Sequence, residues 1–172
     1  MLRKQLLVGS GMALAVAILI ALYNSPGAMA HFAPPVGDDE GARLAYAWRW
    51  LLVPALCLFV GVATVSNRRF FSADAMDGTR APQSQRLEIN LRYNQNTLEQ
   101  TALAAVAWSG LSLVLAHDRL ALIPMLATVF AVGRILFWLG YLWAPWARAL
   151  GFGLTFYPTA VALLWLALRT FA

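Results

Sequence analysis

A chain of 172 residues with 60% hydrophobic and only 12% charged residues, at a mean hydropathy of +0.63, is too apolar for an ordinary soluble domain, where charged residues make up about a quarter. The net charge of +5 would point to nucleic acid in a soluble protein, but these arginines sit in connecting segments and at helix ends. There they read as topology signals and membrane anchors, and nucleic-acid binding is excluded. The single Cys57 lies inside an apolar run and reads as a small buried hydrophobe, which excludes an internal disulfide and a thiol-ligated metal site.

Five apolar segments follow in chain order. The first, Leu6–Tyr23, is preceded by Arg3 and Lys4 and leads into Ala28-Met29-Ala30, a pattern that resembles a secretory signal with a small-residue cleavage site. Its apolar run is longer than a usual signal core and can span a bilayer unaided, so a retained helix is favoured. Residues 1–30 are therefore set apart as an N-terminal transmembrane or signal-like segment. Residues 31–46 form an extracytoplasmic loop, and residues 47–172 a four-helix membrane domain. Its helices fall at about 47–66, 90–116, 120–143 and 148–171. Pro54 and Pro158 inside these spans predict kinks, because neighbouring helices compensate for the missing N–H. The fold class is an all-α integral membrane protein, a four-helix transmembrane bundle with an extra N-terminal helix.

Loop charges give an orientation. Arg3, Lys4, Arg68, Arg69, Arg80, Arg86 and Arg148 fall on one side if five helices cross in turn, while Asp38-Asp39-Glu40 and His117-Asp118 fall on the other. The basic side is expected to be cytoplasmic, with the amino terminus in and the carboxyl terminus out, in a bacterial inner membrane. The longest cytoplasmic loop is Asn67–Glu88. His31 and His117 stand alone in connecting segments, with no partner at metal spacing, and are given no role.

The strongest anomaly is Arg92-Tyr-Asn-Gln-Asn96-Thr-Leu-Glu99, which opens the third apolar segment. A cation, an amide and a carboxylate at i, i+4 and i+7 share one helix face. Such groups at the edge of a hydrocarbon layer are expensive, so they face a partner helix, a water cavity or a ligand. Arg134, Phe137 and Tyr141 share a face of the fourth segment, Arg148 opens the fifth, and Arg68 and Arg69 end the second. Antiparallel packing brings all of them to one interface. Arg68, Arg69 and Arg148 can also be plain anchors that snorkel to the headgroups. Arg134 lies deeper than the rest and needs a partner, for which Glu99 is the candidate.

These residues resemble the MAPEG family, the membrane-associated proteins in eicosanoid and glutathione metabolism, over about Ala47–Phe171. The likeness rests on Arg-x3-Asn-x2-Glu at Arg92, Asn96 and Glu99. It rests also on Arg-x2-aromatic-x2-Gly-Tyr-x6-Arg at Arg134, Phe137, Gly140, Tyr141 and Arg148, with the Arg68-Arg69 pair. The resemblance implies a homotrimer of four-helix protomers binding glutathione between subunits near the cytoplasmic face. Glutathione, as co-substrate and without a metal, carries two carboxylates, an ammonium and a thiol. Arg92, Arg134 and one of Arg68 and Arg69 would take the carboxylates. Glu99 would hold the ammonium, Asn96 would bridge, and Phe137 would flank the site. Arg148 or Tyr141 would stabilise the thiolate, the nucleophile for a lipophilic small molecule that enters from the bilayer.

Phe137 stands where some members have tyrosine, Gln95 where a prostaglandin-forming member has arginine, and Gln100 where another has tyrosine. These departures bear on the reaction and substrate. Two other readings remain at this point: a non-catalytic bundle locked by a Glu99–Arg134 pair, and a small transporter, which the clustering of polar groups at one interface disfavours.

Overall fold

The computed structural model of the chain describes residues 1–25, 27–71 and 84–172. Among them are six α-helices and no strand: α1 Leu2–Asn24, α2 Glu40–Trp50, α3 Leu52–Phe70, α4 Gln85–Val114, α5 Leu122–Trp143 and α6 Ala149–Phe171. A single 3-10 turn, His117–Arg119, joins α4 to α5. Most of the expected loop Asn67–Glu88, with Arg80, lies outside the described residues.

Among the described residues, four stretches are long and apolar enough to cross a bilayer: Leu2–Asn24, Glu40–Phe70, His117–Trp143 and Ala149–Phe171. The α4 helix does not qualify, contrary to the expectation of five apolar spans. At 30 residues it measures about 45 Å, ample for a bilayer, but its first half is polar. Its place in the fold accounts for this. It packs against α2, α3, α5 and α6, so Asn90, Thr97, Gln100 and Ser112 are buried among protein, not lipid.

Two boundaries differ from the sequence reading. The extracytoplasmic loop expected over 31–46 ends early, because the Asp39 side chain accepts from the Ala42 N–H and caps a helix that already runs from Glu40. The second span is divided at Leu51. Pro54 has no N–H to offer the Trp50 carbonyl, so the helix interrupts there as the proline requires. Pro158 is carried inside α6 without a break.

With lipid on the outside, helix association depends on close packing more than on water exclusion. Leu120, Ile123, Ala127 and Phe130 of the α4–α5 region meet Ala104, Ala107 and Trp108 in the main core, and Trp108 sets its edge on Phe130 at 6.2 Å between centroids. The backbones of α5 and α6 cross closely, and a Cβ added to Gly151 would overlap Phe137 N and Gly133 O and stand 2.7 Å from Phe137 Cα. Only a glycine permits this approach.

The far end of the bundle is clamped by ionic contacts. Arg43 donates through Nη1 to the carbonyls of Ser112 at 3.2 Å and Leu115 at 2.8 Å, satisfying the end of α4. Its other nitrogens reach Asp38 Oδ1 at 2.8 and 2.6 Å, and His117 Nδ1 lies 2.8 Å from the same oxygen. His117, given no role from sequence, thus ties the α4–α5 turn to the segment before α2. The His117 hydrogen bond and then Arg43 hold the Asp38 carboxyl below its ordinary value of 3.8.

Candidate functional site

The first half of α4 carries most of the site on one face. Arg92 grips Glu88 one turn earlier, with Nε and Nη2 at 3.0 and 2.7 Å from Oε1. Gln95 Nε2 donates to Glu99 Oε1 at 2.9 Å. Arg92, Gln95 and Glu99 are all exposed, and Leu98, Leu103 and Val106 beside and beyond them are exposed too.

Arg134 sits behind this face and is only 1% exposed. Its Nη1 donates to Asn96 Oδ1 at 2.8 Å. Its Nη2 donates to Thr155 Oγ1 at 2.5 Å and more weakly to Gly151 O at 3.4 Å. The guanidinium also lies 4.7 Å from the centroid of Phe137 and 5.6 Å from that of Phe130. The expected Glu99–Arg134 pair is therefore not formed. The short Asn96 amide fills the gap between α4 and α5, and Glu99, one turn further out, turns towards Gln95. Arg134 thus links α4, α5 and α6 and does not reach outward as the carboxylate ligand expected from sequence.

The turn between α5 and α6 supplies the remaining cation. A Cβ on Gly140 would stand 2.6 Å from Ala147 O, so this glycine lets the turn fold back on the end of α5. That return places the Arg148 guanidinium 4.5 Å from the centroid of Tyr141, and Tyr141 in turn packs edge-on against Phe137 at 5.8 Å. Arg148 is half-buried, Tyr141 buried.

A cavity of about 430 Å³ opens where these groups meet, inside the range of roughly 300–1,000 Å³ usual for small-molecule sites. Arg92, Asn96, Glu99, Phe137, Tyr141 and Arg148 all line it. Arg134 does not, and acts on it through Asn96. Arg68 and Arg69 lie in the last turn of α3, half-buried, and do not line it either.

Sequence reasoning missed four contributors. Gln95 was noticed only as a departure from the family, though its amide orients Glu99. Thr155 could have been found as a hydroxyl one turn beyond Gly151 and one before Thr159, on one face of an apolar helix. The α1 side chains Val8 and Met12 line the cavity as well, and nothing in their own sequence signals it.

The fold and cavity define an α-helical integral membrane protein with a polar, arginine-rich pocket at one end of its bundle. The family model of the MAPEG family matches residues 42–168, and the chain belongs to that family. It is also similar to transmembrane protein 79 of Bos taurus, 34% identical over 79 residues, and to that of Mus musculus, 33% identical over 79 residues. Each match covers 46% of this chain but only 20% of the relative, so the chain spans about a fifth of the length of the curated relatives it matches. No solved structure matches.

Proposed function

We propose that this chain is a glutathione-dependent membrane enzyme that conjugates lipophilic electrophiles or reduces lipophilic peroxides. The observation that carries the reading is the convergence of Arg92, Asn96, Glu99, Phe137, Tyr141 and Arg148 on one cavity. The donor set fits the co-substrate. Arg92 meets a carboxylate, Glu99 the ammonium, and Asn96 is held for a third polar contact by Arg134. Arg134 is buried with no carboxylate within reach among the described residues, so its charge adds to that of Arg148 and favours an anion in the cavity.

Arg148 then has the central task. A guanidinium beside a thiol lowers its pKa from about 8.5 towards neutrality and supplies thiolate at physiological pH. Arg148 rests on Tyr141 and is therefore positioned before any ligand arrives; Tyr141 Oη offers a second donor to the sulfur. In conjugation a carbon–sulfur bond forms as the leaving group departs or, with an unsaturated carbonyl acceptor, as the α-carbon takes a proton. In peroxide reduction the sulfur takes the distal oxygen, the O–O bond breaks, an alcohol leaves, and a second glutathione releases water and the disulfide.

The exposed Arg92, Gln95 and Glu99 stand next to apolar side chains on a helix surrounded by membrane spans. Polar groups so placed call for a protein partner. A second copy of the chain meets that need, and the homotrimer suggested by family membership would put the cavity between subunits. The basic end, with Arg3, Lys4, Arg68, Arg69 and Arg148, is assigned to the cytoplasm, with the amino terminus in and the carboxyl terminus out in a bacterial inner membrane.

Glu99→Gln tests the reading. Loss of glutathione affinity with assembly intact supports it; loss of assembly alone supports instead a non-catalytic bundle in which the polar face is structural. One observation favours that second reading in part, because the Arg134 network does tie three helices together. Glu99 stands outside that network, and a structural lock leaves it without a purpose.

A further inference from the structure

The α1 helix lies outside the stretch matched by the family, 42–168, yet it docks on α6 in a defined register. Its half-buried or buried residues Val8, Gly11, Met12, Ala15, Ile18, Leu19 and Leu22 recur at helical spacing, while the other positions between Val8 and Leu22 are exposed. Ala15 is completely buried. A Cβ on Gly11 would stand 3.3 Å from Ala149 Cβ, and one on Gly153 would stand 2.7 Å from Ala15 Cβ. Two close approaches four residues apart on both helices make a small-residue seam, the arrangement by which membrane helices come within van der Waals reach.

That seam has a chemical consequence. It carries Val8 and Met12 to the cavity edge, beside Ala149 and Phe152 and facing the polar residues of α4. Arg148, which holds the sulfur in the proposed function, immediately precedes the Ala149 contact with α1. The side of the cavity nearest the sulfur is thus apolar, and part of it is built by α1. We infer that α1 is the acceptor-side wall of the site, with Met12 and Val8 selecting slender apolar electrophiles such as alkyl-chain enals. Met12 is suited to this, because an unbranched thioether adapts to chains of different shape. The inference rests on the proposed function, since it takes Arg148 to mark the position of the sulfur.

Two probes of the whole 172-residue chain in membranes test it, both with Cys57 replaced by alanine. First, Gly11→Cys with Ala149→Cys forms an intramolecular disulfide on mild oxidation, since the two Cβ atoms lie close to the roughly 3.5–4.5 Å that a disulfide spans. Failure to crosslink removes the docked wall and overturns the inference. Second, Met12→Cys, with Val8→Cys as the alternative if it does not fold, is labelled by a small maleimide. Glutathione bearing a hexyl group on sulfur slows labelling about tenfold at ten times its Kd, as mass action requires of a ligand covering the thiol. S-methylglutathione, which has no free thiol to consume the maleimide, slows it less than about twofold at the same multiple of its own Kd, because it leaves the wall bare. If calorimetry shows the hexyl conjugate bound but labelling is unchanged, the wall assignment is wrong and the glutathione site stands. If calorimetry shows neither compound bound, the proposed function fails and the inference with it.

Discussion

Arg134 and Asn96, 38 residues apart, are joined by a 2.8 Å hydrogen bond between Nη1 and Oδ1. The bond fuses the two sequence patterns into one site. Asn96 faces the cavity in front while Arg134 anchors it from behind through Thr155 on α6. Asn96→Ala is expected to lower stability by about 1.5–3 kcal/mol, the range for a hydrogen bond to a charged group. Glu99→Gln should change stability by no more than about 0.5 kcal/mol, as at an exposed position outside the Arg134 network. Thermal unfolding in detergent distinguishes them; equal losses for both would place Glu99 inside the structural lock after all.

Gly151→Ala tests the crossing on which Arg134 depends. Alanine at a helix interior position gains about 1 kcal/mol in propensity, but here its methyl would press on the α5 backbone, which cannot turn aside as a side chain can. Overpacking of about 1–3 kcal/mol outweighs the gain. Gly9→Ala on α1, whose added Cβ meets nothing within 4 Å, is the control and should be neutral or stabilising. A lowered melting temperature for Gly151→Ala alone supports the geometry.

Acid should loosen the opposite end first. The Asp38 carboxyl titrates below 3.8 in the folded protein because His117 and Arg43 bind its charged form. A carboxyl with a depressed native pKa contributes stability that is fully present above its unfolded value and is lost as pH falls through the folded one. Unfolding followed from pH 5 to pH 2 should therefore show a loss beginning below about pH 4, and Asp38→Asn should remove that component. A profile identical in Asp38→Asn would mean that the clamp contributes nothing.

Much of the site was legible because its chemistry is unusual for its surroundings. Amides, carboxylates and arginines are rare in membrane helices, so Arg92, Asn96, Glu99 and Arg134 could be found by their cost alone. Which of them touches which was not legible. Glu99 and Asn96 are one helical turn apart, and sequence could not choose between them as the partner of Arg134; in the structure Arg134 donates to Asn96, while Glu99 accepts from Gln95. The place of Arg68 and Arg69, away from the cavity, depends on where α3 ends relative to α4. The α2 helix is not legible over residues 40–46 because they are too polar to read as a span, although Asp39 is a cap residue in the sequence. The seam of α1 on α6 uses glycines and alanines, which leave no mark in an apolar run.

The most direct test of the central claim is an ultraviolet titration of the purified protein with glutathione at neutral pH, following thiolate absorbance, with Arg148→Ala alongside. The account predicts a saturable thiolate signal in the native protein that disappears in Arg148→Ala, since without the guanidinium the thiol returns towards its ordinary pKa of about 8.5. No signal at millimolar glutathione, or an equal signal in Arg148→Ala, would contradict it.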